Sequence, residues 1–122
     1  MASVRYMVDD VDRALPFYEA LGFTLAERPA PVIAIVKRRD ITLWLSGPGT
    51  SARRPMDDGA QPGPGGWNRF VVEVEDLDAM LATLAAAGIK PRSTPVTGPG
   101  GRQALVMDPS GNPVEIFEPR NA

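Results

Sequence analysis

The sequence repeats itself at a spacing of 66 residues, and this repeat restricts the fold more than any other feature. Asp10 and Asp76 are good helix N-caps, and each precedes a run of apolar residues at helical spacing. Each run ends at a glycine, Gly22 or Gly88, of the kind that terminates helices. The same gapless register also matches Val8 with Val74, Asp12 with Asp78, Leu15 with Leu81, Ala20 with Ala86, and Pro29 with Pro95. This ordered set indicates an internal duplication.

The repeated unit is predicted to be β-α-β-β-β. In the first copy a helix over 11–21 is accompanied by strands over 3–8, 23–27, 32–37 and 41–45; Pro16 should kink that helix or lie on its exposed side. In the second copy a helix through Ala87 is accompanied by strands over 67–74, 89–94, 103–107 and 114–118. One helix covers only one face of a sheet, so we expect an α+β fold in which two βαβββ modules form a curled mixed sheet with a cup-shaped pocket.

The length fits a single domain over residues 1–122, with module one at 1–46, a linker at 47–66 and module two at 67–122. The linker is rich in Gly, Pro, Ser and charge, and a stretch of this length without periodicity needs an explanation. It could connect the two modules, cover a site, or do both. Arg53 and Arg54 within it are expected to be solvated.

Composition excludes several kinds of chemistry. The sequence has no Cys and no His, which removes disulfides, thiol nucleophiles and imidazole ligands. The formal charge of −2 and the lack of a Lys/Arg cluster argue against a nucleic-acid surface. No apolar run is long enough to span a membrane and the start of the sequence lacks a signal-peptide core, so a cytoplasmic location is expected.

Three segments, VDDVDRALPFYEALGF (8–23), VEDLD (74–78) and DPSGNPVEI (108–116), occur in an order that resembles the glyoxalase/bleomycin-resistance/extradiol-dioxygenase superfamily, also called vicinal oxygen chelate proteins. The resemblance covers nearly the whole chain. It implies the paired βαβββ arrangement and a homodimer in which module one of one subunit lies beside module two of the other.

Enzymes of this superfamily hold a divalent metal with His or Glu from four strands, and the resemblance assigns those positions to Ser3, Thr42, Arg69 and Glu115. Only Glu115 is a usual ligand, and the guanidinium of Arg69 cannot coordinate a cation. We therefore expect no metal and no cofactor.

Without the metal set, the sequence is most similar in character to the bleomycin-resistance proteins, which bind a drug in the cup. The expected function is a metal-free binding protein that sequesters an aromatic antibiotic or toxic natural product. The alternative is an enzyme: a lyase or dioxygenase, or a metal-free isomerase with Glu115 as its base. A regulatory or partner-binding domain with an unused cup is the third possibility.

Alternation along the strands assigns side chains to the two faces of the sheets. The helix-covered face is predicted to hold Val4, Val8, Leu43, Phe70, Val72, Val74, Val114 and Ile116. The predicted ligand-binding residues are Arg5, Thr42, Trp44, Trp67, Arg69, Arg102, Met107, Glu115 and Phe117. Arg69 and Glu115 should be neighbours, as an ion pair or as a clamp on the ligand. For the two tryptophans, packing in the core and stacking on a flat ligand both remain open.

Overall fold

The computed structural model, which describes residues 2–120, contains two βαβββ modules. Module one consists of β1 (Val4–Met7), α1 (Val11–Ala20), β2 (Thr24–Ala30), β3 (Ile33–Arg38) and β4 (Ile41–Ser46). Module two consists of β5 (Val71–Glu73), α2 (Leu77–Ala86), β6 (Val96–Gly98), β7 (Gly101–Met107) and β8 (Pro113–Pro119). The α+β fold of duplicated modules is therefore confirmed.

Each module forms its own four-stranded sheet, with the same order in both: β1-β4-β3-β2 and β5-β8-β7-β6. The first strand runs parallel to the last, and the other pairs are antiparallel. Each helix begins at the predicted cap: Asp10 accepts from the Arg13 amide and Asp76 from the Ala79 amide. Pro16 lies on the exposed side of α1, one of the two alternatives expected for it. Neither described helix has the length and apolar character that crossing a membrane requires.

Two strand predictions in module two are wrong. Residues 89–94 form only an isolated bridge between Pro91 and Val106, and the strand lies later, at Val96–Gly98. Proline has no amide hydrogen for a ladder, so Pro91 and Pro95 keep the segment between them irregular. The strand predicted over 67–74 is reduced to Val71–Glu73. Gly65 and Gly66 both have positive φ and turn the chain immediately before Trp67, and residues 67–70 are not part of the ladder strand.

One apolar core lies under both helices and is shared by the modules. Most of the predicted core residues are buried there: Val8, Leu43, Phe70, Val72, Val114 and Ile116. Val4 is not, because it begins the edge strand β1 and remains 36% exposed. Aromatic contacts join the modules: the ring centroid of Phe70 lies 5.1 Å from that of Tyr6 and 5.9 Å from that of Phe23.

A buried polar network also fastens α1 of module one to the β7–β8 turn of module two. The Tyr18 hydroxyl donates to Asp108 Oδ2 at 2.7 Å, and Asn112 Nδ2 donates to the same oxygen at 2.9 Å. Asn112 Nδ2 also donates to the Met7 carbonyl oxygen at 2.6 Å. Burial, reinforced by the charge of Asp108, raises the pKa of Tyr18. The turn from Asp108 to Asn112 thus also joins the two modules.

The linker lies against this junction. A short 3₁₀ turn, Ser51–Arg53, directs Arg53 inward, where Nη1 donates to the Val8 carbonyl oxygen at 2.8 Å and Nε to that of Pro62 at 3.0 Å. The expectation that Arg53 is solvated is therefore wrong, because its guanidinium satisfies two backbone carbonyls. Arg54 is exposed, as expected.

Candidate functional site

The sheet faces turned away from the helices carry most of the predicted ligand-binding residues, and we call them together the cup face. In β4, Leu43 and Leu45 are buried beneath α1, so Thr42 and Trp44 project to the opposite side. In β8, Val114 and Ile116 are buried beneath α2. Glu115 and Phe117 therefore belong to the cup face.

Trp44 is the aromatic centre of the cup face in module one. It pairs in register with Arg5 on one side and Ile35 on the other, and it is 37% exposed. The Arg5 guanidinium carbon lies 4.9 Å from the centroid of the indole ring, a cation–π contact. Arg5 Nη1 also donates to Ser46 Oγ at 3.1 Å. Thr42 lies on the same face, two residues before the indole, and is partly buried.

An ion pair stands at the centre of the cup face in module two. Arg69 donates to Glu115 Oε1 from Nε at 3.0 Å and from Nη2 at 2.8 Å. The two side chains are 28% and 13% exposed, respectively. The predicted proximity of these residues is confirmed.

Trp67 lies beside this ion pair, outside any strand, and is 64% exposed. The Arg92 guanidinium carbon lies 4.7 Å from its ring centroid, and Arg92 Nη1 lies 4.0 Å from Met107 Sδ. Arg92 thus contacts both Trp67 and Met107, two of the residues predicted to bind the ligand. Arg92 was missed, because only the irregular backbone between Pro91 and Pro95 carries it to the cup face.

Arg102 does not belong to the cup face, so its prediction as a ligand-binding residue is wrong. Along β7 it shares a face with Ala104 and Val106, which are buried. Its guanidinium binds Asp78 of α2, with Nη2 3.1 Å from Oδ1 and Nη1 3.3 Å from Oδ2. These hydrogen bonds lower the pKa of Asp78 and raise that of Arg102. Its role in the structure is to connect a strand to a helix.

The registers of the two sheets correct the match between the modules. The residue 66 positions after Arg5 is Val71; Arg5 pairs with Trp44, and Val71 pairs with Glu115. Trp44 is therefore the counterpart of Glu115, a position that the family match had given to Thr42. Phe117, which pairs with Glu73 and Gln103, corresponds to Ser46 and not to Trp44. A shift of two residues preserves the face of a strand, so the assignments to the cup face are unaffected.

The residues at the family metal positions do not fit a divalent cation. The position equivalent to Glu115 holds an indole, and Ser3 is a weak donor. Arg69 brings a permanent positive charge to the remaining position, and its hydrogen bonds occupy Oε1 of Glu115. Within residues 2–120 no cluster of three or more acidic, His or Cys side chains is arranged to hold a metal.

Two clefts lie outside the cup-face cluster of Trp44, Trp67 and Glu115. One, of about 580 Å³, is bounded by residues 38–41 and 71–73. The other, of about 950 Å³, lies between the end of α1 and the start of α2. Both contain Arg38, whose pKa is lowered by burial and by the neighbouring charge of Arg39. Arg38 Nε is already bonded to the Leu21 carbonyl oxygen, which suits a structural role. Compared with these two clefts, the cup face offers more aromatic and charged groups to a ligand, but in a single chain it is open to solvent.

Comparison with known proteins adds a family and a set of similar folds. A family model described as the glyoxalase/bleomycin resistance protein/dioxygenase superfamily matches residues 1–116. A lactoylglutathione lyase from Agrobacterium tumefaciens superposes with a TM-score of 0.75 at 23% identity, over 97% of this chain and 92% of its own. An antibiotic-binding protein from Streptomyces sp. CB03234 gives 0.70 at 26% identity, over 98% and 97%. A bleomycin-binding protein in complex with bleomycin gives 0.69 at 24%, over 98% and 98%.

Proposed function

The chain belongs to the glyoxalase/bleomycin resistance protein/dioxygenase superfamily, and from this premise we propose that it is a metal-free binding protein that sequesters an aromatic antibiotic or toxic natural product on its cup face. One observation carries the proposal. The only two tryptophans of the sequence are both exposed, and each is contacted by an arginine. A large exposed aromatic side chain is costly to leave in water, and it gains energy when a flat ligand covers it.

The chemistry of the cup face supports binding over metal-assisted reaction. The family metal positions offer an indole, a serine, an arginine and one glutamate, and that glutamate already accepts two hydrogen bonds from Arg69. Stacking surfaces next to a few oriented polar groups are typical of small-molecule sites. The antibiotic-binding and bleomycin-binding proteins with similar folds make the same kind of ligand a reasonable expectation here.

A homodimer is part of the proposal. On the cup face Trp44, Trp67 and Val71 are 37%, 64% and 47% exposed. The edge strands β1 and β5 each pair with a single described neighbour, β4 and β8. A second copy that places its module two beside module one of the first would cover these surfaces and close two equivalent pockets. Size-exclusion chromatography with light scattering should give twice the 13.1 kDa chain mass; a strict 13.1 kDa species at micromolar concentration would contradict the dimer.

An enzyme with Glu115 as its base is the second candidate. Its carboxylate lies on the cup face and is mostly shielded from solvent. Against this reading, Arg69 occupies Oε1 of Glu115 through two hydrogen bonds, which leaves only Oε2 to accept a proton from a substrate.

The proposal can be tested by screening the protein against antibiotics and aromatic metabolites, with thermal shift as the first assay and native mass spectrometry as the second. Binding proteins of this kind should show a rise in melting temperature for a small set of flat compounds, because ligand binding to the folded state stabilises it. The same compounds should appear as intact adducts in the mass spectrum. A complete absence of adducts across the library would contradict the proposal and favour a partner-binding domain.

A further inference from the structure

The cup face holds two positive charges that no described ion pair neutralises. Within residues 2–120 the ion pairs are Arg28–Asp12, Arg69–Glu115 and Arg102–Asp78. Arg5 and Arg92 are in none of them. Arg5 contacts an indole and a serine hydroxyl, and Arg92 contacts an indole and a thioether. Each exposed tryptophan is thus accompanied by a guanidinium whose charge is still available.

From this arrangement we infer that the cup face selects planar aromatic anions, that is, flat compounds that carry a carboxylate or another acidic group. The inference rests on the proposed function and specifies its ligand class. A guanidinium whose carbon lies 4.7–4.9 Å from an indole centroid keeps N–H groups that can donate to another partner, and its planar fork matches the geometry of a carboxylate. A carboxylate attached to an aromatic system can accept two of these N–H groups while the ring system lies against the indole.

The charges near the two tryptophans also make binding of a cationic aromatic ligand unfavourable. The chain as a whole is acidic, with a formal charge of −2, so the positive character around Trp44 and Trp67 is not a general property of its surface. Glu115 offers no free charge for a cation, because Arg69 pairs with it. Two other carboxylates share this face: Glu73 is at the far end of β5 from Trp67, and Glu27 in β2 is separated from Trp44 by Ile35 of β3. A cationic ligand placed on either indole would therefore meet an unpaired guanidinium.

Two series of matched compounds can test this preference directly. Each series consists of the carboxylate, the primary alcohol and the primary aminomethyl derivative of one ring system, with anthracene in the first series and naphthalene in the second. Affinities are measured by isothermal titration at neutral pH and low ionic strength, and again at high ionic strength. The variants are Arg5→Met and Arg92→Met, with Arg92→Lys to separate charge from the planar fork.

Arg102→Met is the matched control, because it removes one positive charge from the same sheet as the cup face of module two but on the helix-covered side. We expect the carboxylates to bind about tenfold to a hundredfold more tightly than the alcohols, the range of one charge-assisted hydrogen bond. The aminomethyl compounds should bind most weakly. Arg5→Met and Arg92→Met should each reduce the preference for the carboxylates, Arg92→Lys should keep part of it, and Arg102→Met should keep all of it. Raising the salt should weaken only the carboxylates.

Equal or tighter binding of the alcohols or amines overturns the inference, as does a carboxylate preference that Arg102→Met removes to the same extent as Arg92→Met. These outcomes would leave the proposed binding function in place, since a ligand would still have bound. If none of the six compounds binds, the inference is likewise overturned, whereas the proposed function is decided by the wider screen.

Discussion

Trp44 holds in module one the register position that Glu115 holds in module two, since each is the β-ladder partner of an equivalent residue in the first strand of its module. Duplicated modules would be expected to supply similar groups at this position. Instead one module supplies an aromatic surface and the other an ion-paired carboxylate. Under the proposed function, Trp44 of module one would provide stacking area, and module two would provide oriented polar groups next to a second stacking surface, Trp67.

Replacing Trp44 with alanine should weaken ligand binding about tenfold to a hundredfold, or roughly 1–3 kcal/mol, by analogy with the loss of one base-stacking aromatic. The free energy of unfolding should change little, because the indole lies on the face opposite to the helix-packed core. Leu25→Ala is the control: Leu25 is also exposed in this sheet but shares its face with Val36. Equal loss of affinity in both variants would contradict the role of the indole.

The Arg69–Glu115 pair should behave as a coupled unit in a double-mutant cycle. Arg69→Met and Glu115→Gln should each destabilise the protein slightly, and the coupling energy should be roughly 1 kcal/mol because both groups retain some exposure to water. Urea unfolding of the wild type, the two single variants and the double variant gives this energy. If the changes in the free energy of unfolding of the two single variants simply add up in the double variant, the ion pair contributes no interaction energy.

Tyr18→Phe should destabilise the protein by about 1.5–3 kcal/mol, because the change removes a hydrogen bond to the buried carboxylate of Asp108. Urea unfolding at neutral pH measures this difference. A loss close to zero would mean that Asn112 and the turn amides satisfy Asp108 without the hydroxyl.

The same tyrosine should make the protein sensitive to alkali. Burial raises the pKa of Tyr18, and it also raises the pKa of Tyr6, which is less deeply buried. The chain has no other tyrosine. A raised folded-state pKa means that the stabilisation is complete below the unfolded value of about 10 and declines as the pH rises above it. The free energy of unfolding should therefore fall above about pH 10 in the wild type, and less steeply in Tyr18→Phe. Parallel curves for the two proteins would contradict this assignment.

Arg53→Gln should release the linker over residues 47–66. Its guanidinium binds the Val8 and Pro62 carbonyl oxygens, so the variant should be cut faster by thermolysin under native conditions. Arg54→Gln makes the same chemical change at an exposed neighbour and should leave the cleavage rate unchanged. If the two variants are cut at the same rate, the contacts of Arg53 do not hold the linker in place.

Much of the fold could be predicted from the sequence, because the 66-residue register fixes equivalent caps and strands in both modules. Local sequence pattern predicts the helix caps Asp10 and Asp76. The expected order of the strands predicts that Arg69 pairs with Glu115. Periodicity predicts these features well because they depend on one element or on one known pairing of elements.

Most of the errors have a common physical origin: they depend on how segments lie relative to one another. Arg102 is an exception: it was predicted to bind the ligand although alternation along β7 already places it with Ala104 and Val106, on the face opposite to Met107. Arg92 reaches the cup face through an irregular segment that has no periodicity to interpret. The equivalence of Trp44 and Glu115 could not be recovered either, because the connections within the two modules differ in length and only the ladder register reveals the shift.

The central claim is binding at the cup face without chemical change, and the most direct measurement is the fate of a ligand identified in the screen. The purified protein is incubated with that compound for many hours, denatured, and the small-molecule fraction is analysed by liquid chromatography with mass spectrometry. The account predicts that the compound is recovered unchanged and in stoichiometric amount from the wild type and from Glu115→Gln. Recovery of a converted product from the wild type, with no such product from Glu115→Gln, would contradict the account and identify the protein as an enzyme.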